Sequence, residues 1–257
     1  MEHIVFFGVR FVRHARPDDL RLEVASMLHG RPQHMIVTPN PEMLVLAHRD
    51  PAFREVLNRA DLALPDGVGI AIMSRILRPS ITRMPGIDFL LDVLFPIAEQ
   101  EGKSIFFLGA QEGVAERAAR EIMKTFPRLR IAGVASGGAV TLREQGGLEA
   151  RPDDAALLSS IADTAPDILL VAFGQRKQEF WISEHLHDLP SVRVAIGVGG
   201  SFDFLAGRIR RAPQIVRRIG LEWMWRFFLE PRRMRRIMNA VVVFPLLACY
   251  DVVRKRD

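Results

Sequence analysis

Asp66 is the side chain best placed for acid–base chemistry, because it stands between Pro65 and Gly67 directly after an apolar stretch at 61–64. A carboxylate held at the end of a strand can accept a proton from a hydroxyl group and so act as a general base. The same position suits a second role, since Asp is among the commonest N-cap residues of helices. The residues alone favour the cap and leave the base as the alternative.

Side chains suited to holding a sugar follow two other apolar stretches. Asn40 precedes a proline and a glutamate and is the expected N-cap of a helix, so Thr38 is the better candidate for a ligand contact. Gln178 and Glu179 form a polar pair that suits the hydroxyl groups of a sugar. On a helix the same pair would equally form a solvated face.

Glycine runs offer a way to bind phosphate. Gly199 and Gly200 would let backbone N–H groups approach a phosphate at the start of a helix, and Gly109 opens a similar run. A tight turn that needs a positive φ is an equally good explanation of both runs. Arg83, in a turn before a predicted helix, would either grip a phosphate or be a surface charge.

The sequence lacks the side-chain patterns that hold metal ions. It has no Asp-x-Asp pair, its seven histidines are scattered, and its one cysteine, Cys249, has no metal-binding spacing. We therefore expect no metal and no cofactor, so arginines would offset the charge of a bound diphosphate. A single cysteine also excludes an internal disulfide, and a reducing compartment, the cytosol, is expected.

Short apolar or β-branched stretches alternate with longer amphipathic ones from residue 34 to 197, a pattern typical of a parallel sheet with crossover helices. Strands are predicted near 35–38, 61–64, 104–108, 129–134, 167–172 and 192–197, and helices near 41–59, 67–77, 87–100, 112–126, 153–163 and 176–187. A strand pair and a helix are expected within 1–33, and a long loop over a site at 136–152. Because ligands bind beyond the carboxyl ends of parallel strands, the motifs above should ring one crevice.

The composition is that of an ordinary globular protein. The chain has 257 residues, of which 49% are hydrophobic and 25% charged, and this excludes disordered and collagen-like proteins. Its first residues lack the basic start and the cleavage site of a signal peptide. We expect an α/β fold over residues 1–207, with a Rossmann-like, mostly parallel sheet flanked by helices.

Residues 208–257, called the tail below, differ from the rest of the chain in charge. The tail carries thirteen Lys and Arg against four Asp and Glu, a net charge of +9 that leaves −4 for residues 1–207. Its arginines alternate with aromatic residues, namely Trp223, Trp225, Phe227 and Phe228. We therefore expect the tail to form a helical, basic appendage.

The tail composition favours a membrane surface over a nucleic acid. Arginines close to tryptophans suit the headgroup level of an anionic bilayer, and the tryptophans make such a membrane a better candidate than a nucleic acid. The apolar run 240–250 is eleven residues long and contains Pro245. Since about 20 residues are needed to span a bilayer, we expect the tail to dip into a membrane without crossing it.

Seven motifs occur in order along the chain: Thr38-Pro39-Asn40-Pro41-Glu42, Pro65-Asp66-Gly67-Val68-Gly69, Gly174-Gln175-Arg176-Lys177-Gln178-Glu179-Phe180-Trp181, Gly197 to Gly207, Arg211-Ala212-Pro213, Gly220-Leu221-Glu222-Trp223 and Glu230-Pro231-Arg232-Arg233. As a series they closely resemble the WecG/TagA/CpsF family of glycosyltransferases. The resemblance extends from about residue 5 to about residue 240.

The resemblance implies a metal-independent, inverting transferase that takes N-acetylmannosamine, its uronic acid or a related hexose from a UDP-sugar. The acceptor it implies is a sugar on undecaprenyl diphosphate, at the inner face of the cytoplasmic membrane, during synthesis of a bacterial surface polysaccharide or exopolysaccharide. The implied partners are both substrates and an anionic membrane surface, with no nucleic acid, and a homo-oligomer is implied as well. A noncatalytic, membrane-docked nucleotide-sugar-binding protein is the alternative.

The resemblance also gives the matching residues their roles. Asp66 matches the proposed catalytic base. The residues expected to bind the donor, including the glycines described above, are Thr38, Asn40, Gly109, Gln178, Gly199, Gly200 and Asp203. The set for the acceptor diphosphate is Arg83, Arg226, Arg232 and Arg235, with Arg233 and Arg236 as alternative equivalents in an appendage that closes over the site.

Two segments depart from the family pattern. The stretch 135–139 lacks the aromatic residue that some relatives place near the uracil, which puts base stacking there in doubt. Gln175 and Arg176 replace a more usual Ser-Pro before Lys-Gln-Glu. The donor could differ accordingly.

Overall fold

The computed structural model describes residues 1–77, 80–143, 146–229 and 234–254. It describes the backbone alone for Arg218, Arg226, Phe228, Leu229, Arg235 and residues 251–254.

The strands are β1 (His3–Phe6), β2 (Val9–Val12), β3 (His34–Val37), β4 (Leu62–Ala63), β5 (Ser104–Gly109), β6 (Arg130–Ala135), β7 (Ile168–Ala172) and β8 (Val194–Gly197). The helices before the tail are α1 (Pro17–His29), α2 (Pro41–Arg49), α3 (Pro51–Arg59), α4 (Val68–Leu77), α5 (Gly86–Phe89), α6 (Phe95–Gln100), α7 (Val114–Thr125), α8 (Asp154–Thr164), α9 (Lys177–His185) and α10 (Ser201–Leu205). The tail contains α11 (Gln214–Arg218), α12 (Glu222–Leu229), α13 (Met234–Met238) and α14 (Phe244–Arg254).

Six strands form one parallel sheet in the order β4-β3-β8-β7-β5-β6, and β1 and β2 form a separate antiparallel pair. The α/β class and the six sheet strands are confirmed, each strand within two residues of its predicted ends. The last strand of the chain, β8, lies in the middle of the sheet, where it pairs with both β3 and β7. All six carboxyl ends therefore meet along one edge.

Alternating strand side chains fill two hydrophobic layers, one on each face of the sheet. In β5, Ile105 and Phe107 join the layer under α1, α6 and α7, whereas Phe106 and Leu108 join the layer under α2, α3 and α9. Both layers consist largely of fully buried aliphatic and aromatic side chains. Helices on both faces thus hold the sheet rigid beneath the strand ends.

The helix predicted over 41–59 is two helices. Asp50 has an extended backbone, with φ −126° and ψ 96°, and its side chain accepts a hydrogen bond from the Phe53 N–H over 3.0 Å. Pro51 cannot donate the hydrogen bond that a continuous helix would require. An N-cap followed by a proline therefore ends α2 and starts α3.

Two π-helical turns, Leu90–Leu94 and Asn239–Val243, join α5 to α6 and α13 to α14. Each turn is followed two residues later by a proline, Pro96 or Pro245. Proline lacks an N–H and its ring clashes with the carbonyl group of the preceding turn, so the helix widens to pass it.

The end of the tail packs into the body of the protein. Phe244 is fully buried, with its ring centroid 6.4 Å from that of Phe6 and 5.6 Å from that of Phe7, and Ala248 is buried beside it. A domain boundary after residue 207 stays a prediction. Among the helices in the described ranges, none combines the length and the apolar character that crossing a membrane would take.

Candidate active site

A large cleft opens at the edge where the six carboxyl ends meet, as expected for a parallel sheet. Its volume is about 1170 Å³, and residues that follow all six strands line it. Residues 219–223 and several side chains between 236 and 245 form the opposite wall. The sheet and the tail thus share one site.

Asp66 lines the cleft, half-buried, between β4 and α4. Its backbone N–H donates to the carbonyl oxygen of Pro39 over 2.9 Å, which ties the end of β4 to the end of β3. Burial raises the pKa of Asp66 to about 6; the charge of Arg83 and the Gly86 N–H oppose this rise, and the charge of Glu222 adds to it. At neutral pH such a carboxylate is ionised and yet basic enough to accept a proton.

The turn after Asp66 explains the neighbouring residue types. Gly67 has a φ of +98°, and a Cβ on it would lie 2.8 Å from Cδ of Pro41, so only glycine fits. The backbone hydrogen bond that reaches the Asp66 carboxylate comes from Gly86, the first residue of α5. Among the described residues, no hydrogen bond runs from an N–H of α4 to this carboxylate, so the capping role favoured by the residues alone finds no support here.

Thr38 and Asn40 lie beside Asp66 in the cleft. Asn40 accepts a hydrogen bond from the Met43 N–H over 3.0 Å, so its predicted role as the N-cap of α2 is confirmed. Its amide nitrogen has no protein partner among the described residues, which leaves two donors for a ligand.

Gln178 and Glu179 are not a solvated face. Gln178 is 3% exposed and lines the cleft, whereas Glu179 is fully buried behind it. Gln178 Nε2 donates to Glu179 Oε1 over 2.6 Å, and Gln178 Oε1 accepts the Gly199 N–H over 2.9 Å. Burial raises the pKa of Glu179 to about 7, opposed by the Gln178 amide and by backbone N–H groups.

The glycine runs have separate roles. Gly199, with a φ of +50°, lies in the cleft with Gly200 and Asp203, but its N–H is already bonded to Gln178 and is not available to a phosphate. Gly109 does not line the cleft. Its φ is +102°, and a Cβ on it would lie 2.8 Å from the backbone of Ala172.

Beyond Gly109, Ala110 and Gln111 reach the cleft. The loop after β6 reaches it too, through residues 138–140, as expected for a covering loop. Arg151 holds this loop by donating to the carbonyl oxygens of Gly137 and Ala139. The Arg151 guanidinium lies 5.9 Å from the ring centroid of Phe173, so an aromatic ring lines the cleft beside the segment that lacks one.

Among the side chains that the structure describes, four cationic ones line the cleft: Arg83, Lys177, Arg208 and Arg236. Arg208 donates to Gln111 over 2.8 Å and lies 3.4 Å from Asp203, and Arg236 pairs with Glu42 over 2.8 Å. Arg83 and Lys177 form no ion pair with any residue in the described ranges, so their charges can be used by a ligand.

The tail arginines assigned to the acceptor are placed only in part. Arg226 is on α12 and Arg235 on α13, but their side chains lie outside the described residues, as does the whole of Arg232. Arg236, one of the alternative equivalents, reaches the cleft.

An ion cluster that sequence reasoning missed joins the tail to helix α5. Arg211 donates to the Asp88 carboxylate and lies 3.6 Å from that of Glu222, and Arg217 lies 3.9 Å from Asp88. Glu222 itself lines the cleft. Glu222 is one of few acidic residues among the many arginines of the tail, and that isolation was the available signal.

No group of three or more His, Cys, Asp or Glu side chains that could hold a metal ion occurs in the part of the chain that the structure describes.

Comparison with known proteins gives one consistent family. The profile of the glycosyl transferase WecG/TagA/CpsF family matches residues 4–257. A Bacillus spizizenii protein named N-acetylglucosaminyldiphosphoundecaprenol N-acetyl-beta-D-mannosaminyltransferase is 37% identical over 205 residues, 79% of this chain and 74% of its own. Proteins of the same name are 33% identical in Bacillus subtilis, over 80% of this chain and 75% of theirs, and 32% identical in Staphylococcus aureus, over 79% and 75%. The strand-end motifs, the cleft they line and these matches agree, and the chain belongs to the WecG/TagA/CpsF family of glycosyltransferases.

Proposed function

We propose that this chain transfers N-acetylmannosamine, or a closely related hexose, from a UDP-sugar to a sugar on undecaprenyl diphosphate, with inversion at the anomeric carbon. The names of the three relatives support the transferred sugar and the lipid-linked acceptor. The donor nucleotide, metal independence and a site of action at the inner face of the cytoplasmic membrane are parts of the same proposal.

The observation that carries the proposal is the position of Asp66. A half-buried carboxylate with a pKa raised to about 6 lies in a cleft large enough for two substrates. General base catalysis is most efficient when the pKa of the base lies near the working pH. Asp66 is therefore the group that accepts the proton of the acceptor hydroxyl.

The proposed reaction is a single displacement. The acceptor oxygen forms a bond to the anomeric carbon while its proton passes to Asp66, and the bond from that carbon to the UDP oxygen breaks on the opposite side. The electron pair of the broken bond leaves with UDP. One displacement inverts the anomeric centre.

The charge on the leaving UDP is met by side chains. Lys177 lines the cleft without an ion pair to any described residue and supplies charge-assisted hydrogen bonds to the phosphate oxygens of UDP. Arg83, which likewise has no ion pair to a described residue, does the same for the acceptor diphosphate. Helix α10 has five residues, too few for its dipole to contribute more than a small part. The absence of an Asp-x-Asp pair in the sequence supports a reaction without a metal.

Membrane docking through the tail brings the enzyme to its lipid-linked acceptor. Apolar tail side chains are exposed, among them Ile215 and Leu246, and the tail carries a net charge of +9. Apolar and cationic groups together bind anionic bilayer surfaces.

A transfer assay tests the proposal. The protein is incubated with a lipid-linked N-acetylglucosaminyl diphosphate acceptor and, in parallel, with UDP-N-acetylmannosamine, UDP-N-acetylglucosamine and UDP-glucose, with and without EDTA. Mass spectrometry should find the acceptor enlarged by one N-acetylhexosamine with the first donor, equally in both EDTA conditions. UDP-sugar binding without any product would favour the noncatalytic alternative, and loss of product with EDTA would remove metal independence.

A further inference from the structure

Glu179, which the proposed mechanism does not use, is the innermost member of a buried polar chain. Its Oε1 accepts from Gln178 Nε2 over 2.6 Å, and Gln178 Oε1 in turn accepts from the Gly199 N–H over 2.9 Å. Glu179 is fully buried and Gln178 is 3% exposed. The chain thus runs from the interior to the glycine turn that lines the cleft.

The absence of a side chain at Gly197 makes room for this arrangement. A Cβ on Gly197 would lie 2.6 Å from Gln178 Nε2 and 2.8 Å from Glu179 Oε1, closer than real contacts allow. The end of β8 and the first turn of α9 are therefore fitted to each other.

The start of α9 is itself anchored from outside. Arg176, just before the helix, has a φ of +69°, which is costly for a residue with a side chain. Its guanidinium pairs with Asp50 at the start of α3, and its backbone N–H faces the Glu179 carboxylate. These contacts hold the turn in which Gln178 and Glu179 lie.

A glutamine amide can turn over, and the two orientations present opposite groups. With Oε1 toward Gly199, both hydrogen bonds are made and one Nε2 hydrogen stays available to a ligand. With the amide reversed, Nε2 would face the Gly199 N–H, donor against donor. The Glu179 carboxylate disfavours the reversed form, because its oxygen can accept a hydrogen bond only when Gln178 Nε2 points inward.

We propose that Glu179 is a positioning residue: it fixes the orientation of the Gln178 amide, and through it the backbone of the 197–200 turn, for binding of the nucleotide-sugar donor. This rests on the proposed function for the identity of the donor. The effect on the Gly199 N–H does not depend on it.

The experiment compares Glu179→Leu, Glu179→Gln and the double variant Gln178→Glu with Glu179→Gln. In the double variant a carboxylate at 178 can accept both from Gly199 and from the amide at 179, so the polar chain is rebuilt with its donor and acceptor exchanged. Ser104→Ala is the matched control. It removes a partly buried hydrogen bond from Ser104 to Asp167, 2.9 Å long, at the opposite end of the sheet.

Two measurements are made on each variant: hydrogen exchange of the Gly199 amide by NMR, and the KM values for donor and acceptor. Glu179→Leu should speed exchange and raise the donor KM by about tenfold, with the acceptor KM within about twofold, the size expected when a buried bond is lost. Glu179→Gln should give a smaller change of the same sign. The double variant should recover slow exchange, and Ser104→Ala should lower Tm while leaving exchange and both KM values unchanged.

Unchanged Gly199 exchange and donor KM in Glu179→Leu would overturn the inference. If Glu179→Leu does not fold, the test is the comparison of Glu179→Gln with the double variant. Equal exchange rates of the Gly199 amide in these two proteins would contradict an orienting role. A wild-type protein that transfers no sugar would refute the proposed function, and the exchange series would still test the positioning role.

Discussion

The two walls of the cleft are held by different forces. The sheet wall is fixed by short-range backbone and buried polar bonds, such as the Asp66 N–H to Pro39 and Gln178 to Gly199. The tail wall is attached by ion pairs between partly exposed side chains, such as Arg236 with Glu42. Partly exposed ion pairs weaken with salt, whereas buried hydrogen bonds do not. We therefore expect the sheet wall, where the proposal places the donor, to be preformed and the tail wall, where it places the acceptor, to be adjustable.

The tail is not uniform in this respect. Phe244 and Ala248 are part of the hydrophobic layer that also contains Phe6 and Val9, so α14 is integral to the body. Ile215 and Ile219, near α11, are 74% and 61% exposed. We expect the adjustable part to be the exposed segment around α11.

The largest effect should come from a substitution in the sheet wall, at Asp66, the proposed general base. Asp66→Asn keeps the size of the side chain but cannot accept the proton, so kcat should fall by about 10³-fold. UDP binding, measured by calorimetry, should change by less than about threefold, since the sheet wall stays in place. Turnover within tenfold of wild type would remove Asp66 from the mechanism.

Phe244→Ala tests whether α14 belongs to the body. Loss of a fully buried ring should lower the free energy of unfolding by about 3–5 kcal/mol, measured by urea denaturation. Ile215→Ala, at a site 74% exposed, is the control and should change it by less than about 0.5 kcal/mol. Similar values for the two variants would mean that α14 is no more integral than α11.

Glu179 should make the stability of the sheet wall depend on pH. Its pKa is raised from 4.5 to about 7, so the protonated form favours folding, and this contribution is complete below pH 4.5 and lost as pH rises through 7. Relative to Glu179→Gln, the wild type should lose up to about 3 kcal/mol of unfolding free energy over that range. Denaturation of both proteins at pH 4.5, 6 and 8 measures the difference, and a constant difference would contradict the burial argument.

The smallest effect is expected from the ion cluster of the tail wall. Arg211→Met removes the pairing with Asp88 and Glu222, so the acceptor KM should rise by about fivefold while the donor KM is unchanged. High salt should reduce the difference in acceptor KM between the wild type and Arg211→Met. An equal rise in both KM values would mean that the two walls are not independent.

The fold and the main site residues could be predicted because their signals are local. Apolar stretches mark the strands. Thr38 follows β3 directly, Asp66 lies in the turn between β4 and α4, and Gln178 lies in the first turn of α9 after β7. The division of the helix predicted over 41–59 into α2 and α3 also has a local signal, Asp50 followed by Pro51, although the amphipathic pattern suggested one helix.

Features that depend on distant contacts could not be predicted. The burial of Glu179 follows from the space that Gly197 leaves, 18 residues further along the chain. The link of Arg211 to Asp88 joins residues 123 positions apart. The isolated segments are compatible with several packings, and only the strand order brings these groups together.

The pH dependence of kcat/KM in wild type and Glu222→Gln tests the central claim most directly. Because kcat/KM reports the pKa of the free enzyme, the wild-type rate should rise with pH through about 6 and then level off. Glu222 raises the pKa of Asp66, so removing its charge should move this limb to lower pH. A profile without a limb near 6, or one that Glu222→Gln leaves in place, would contradict Asp66 as the base.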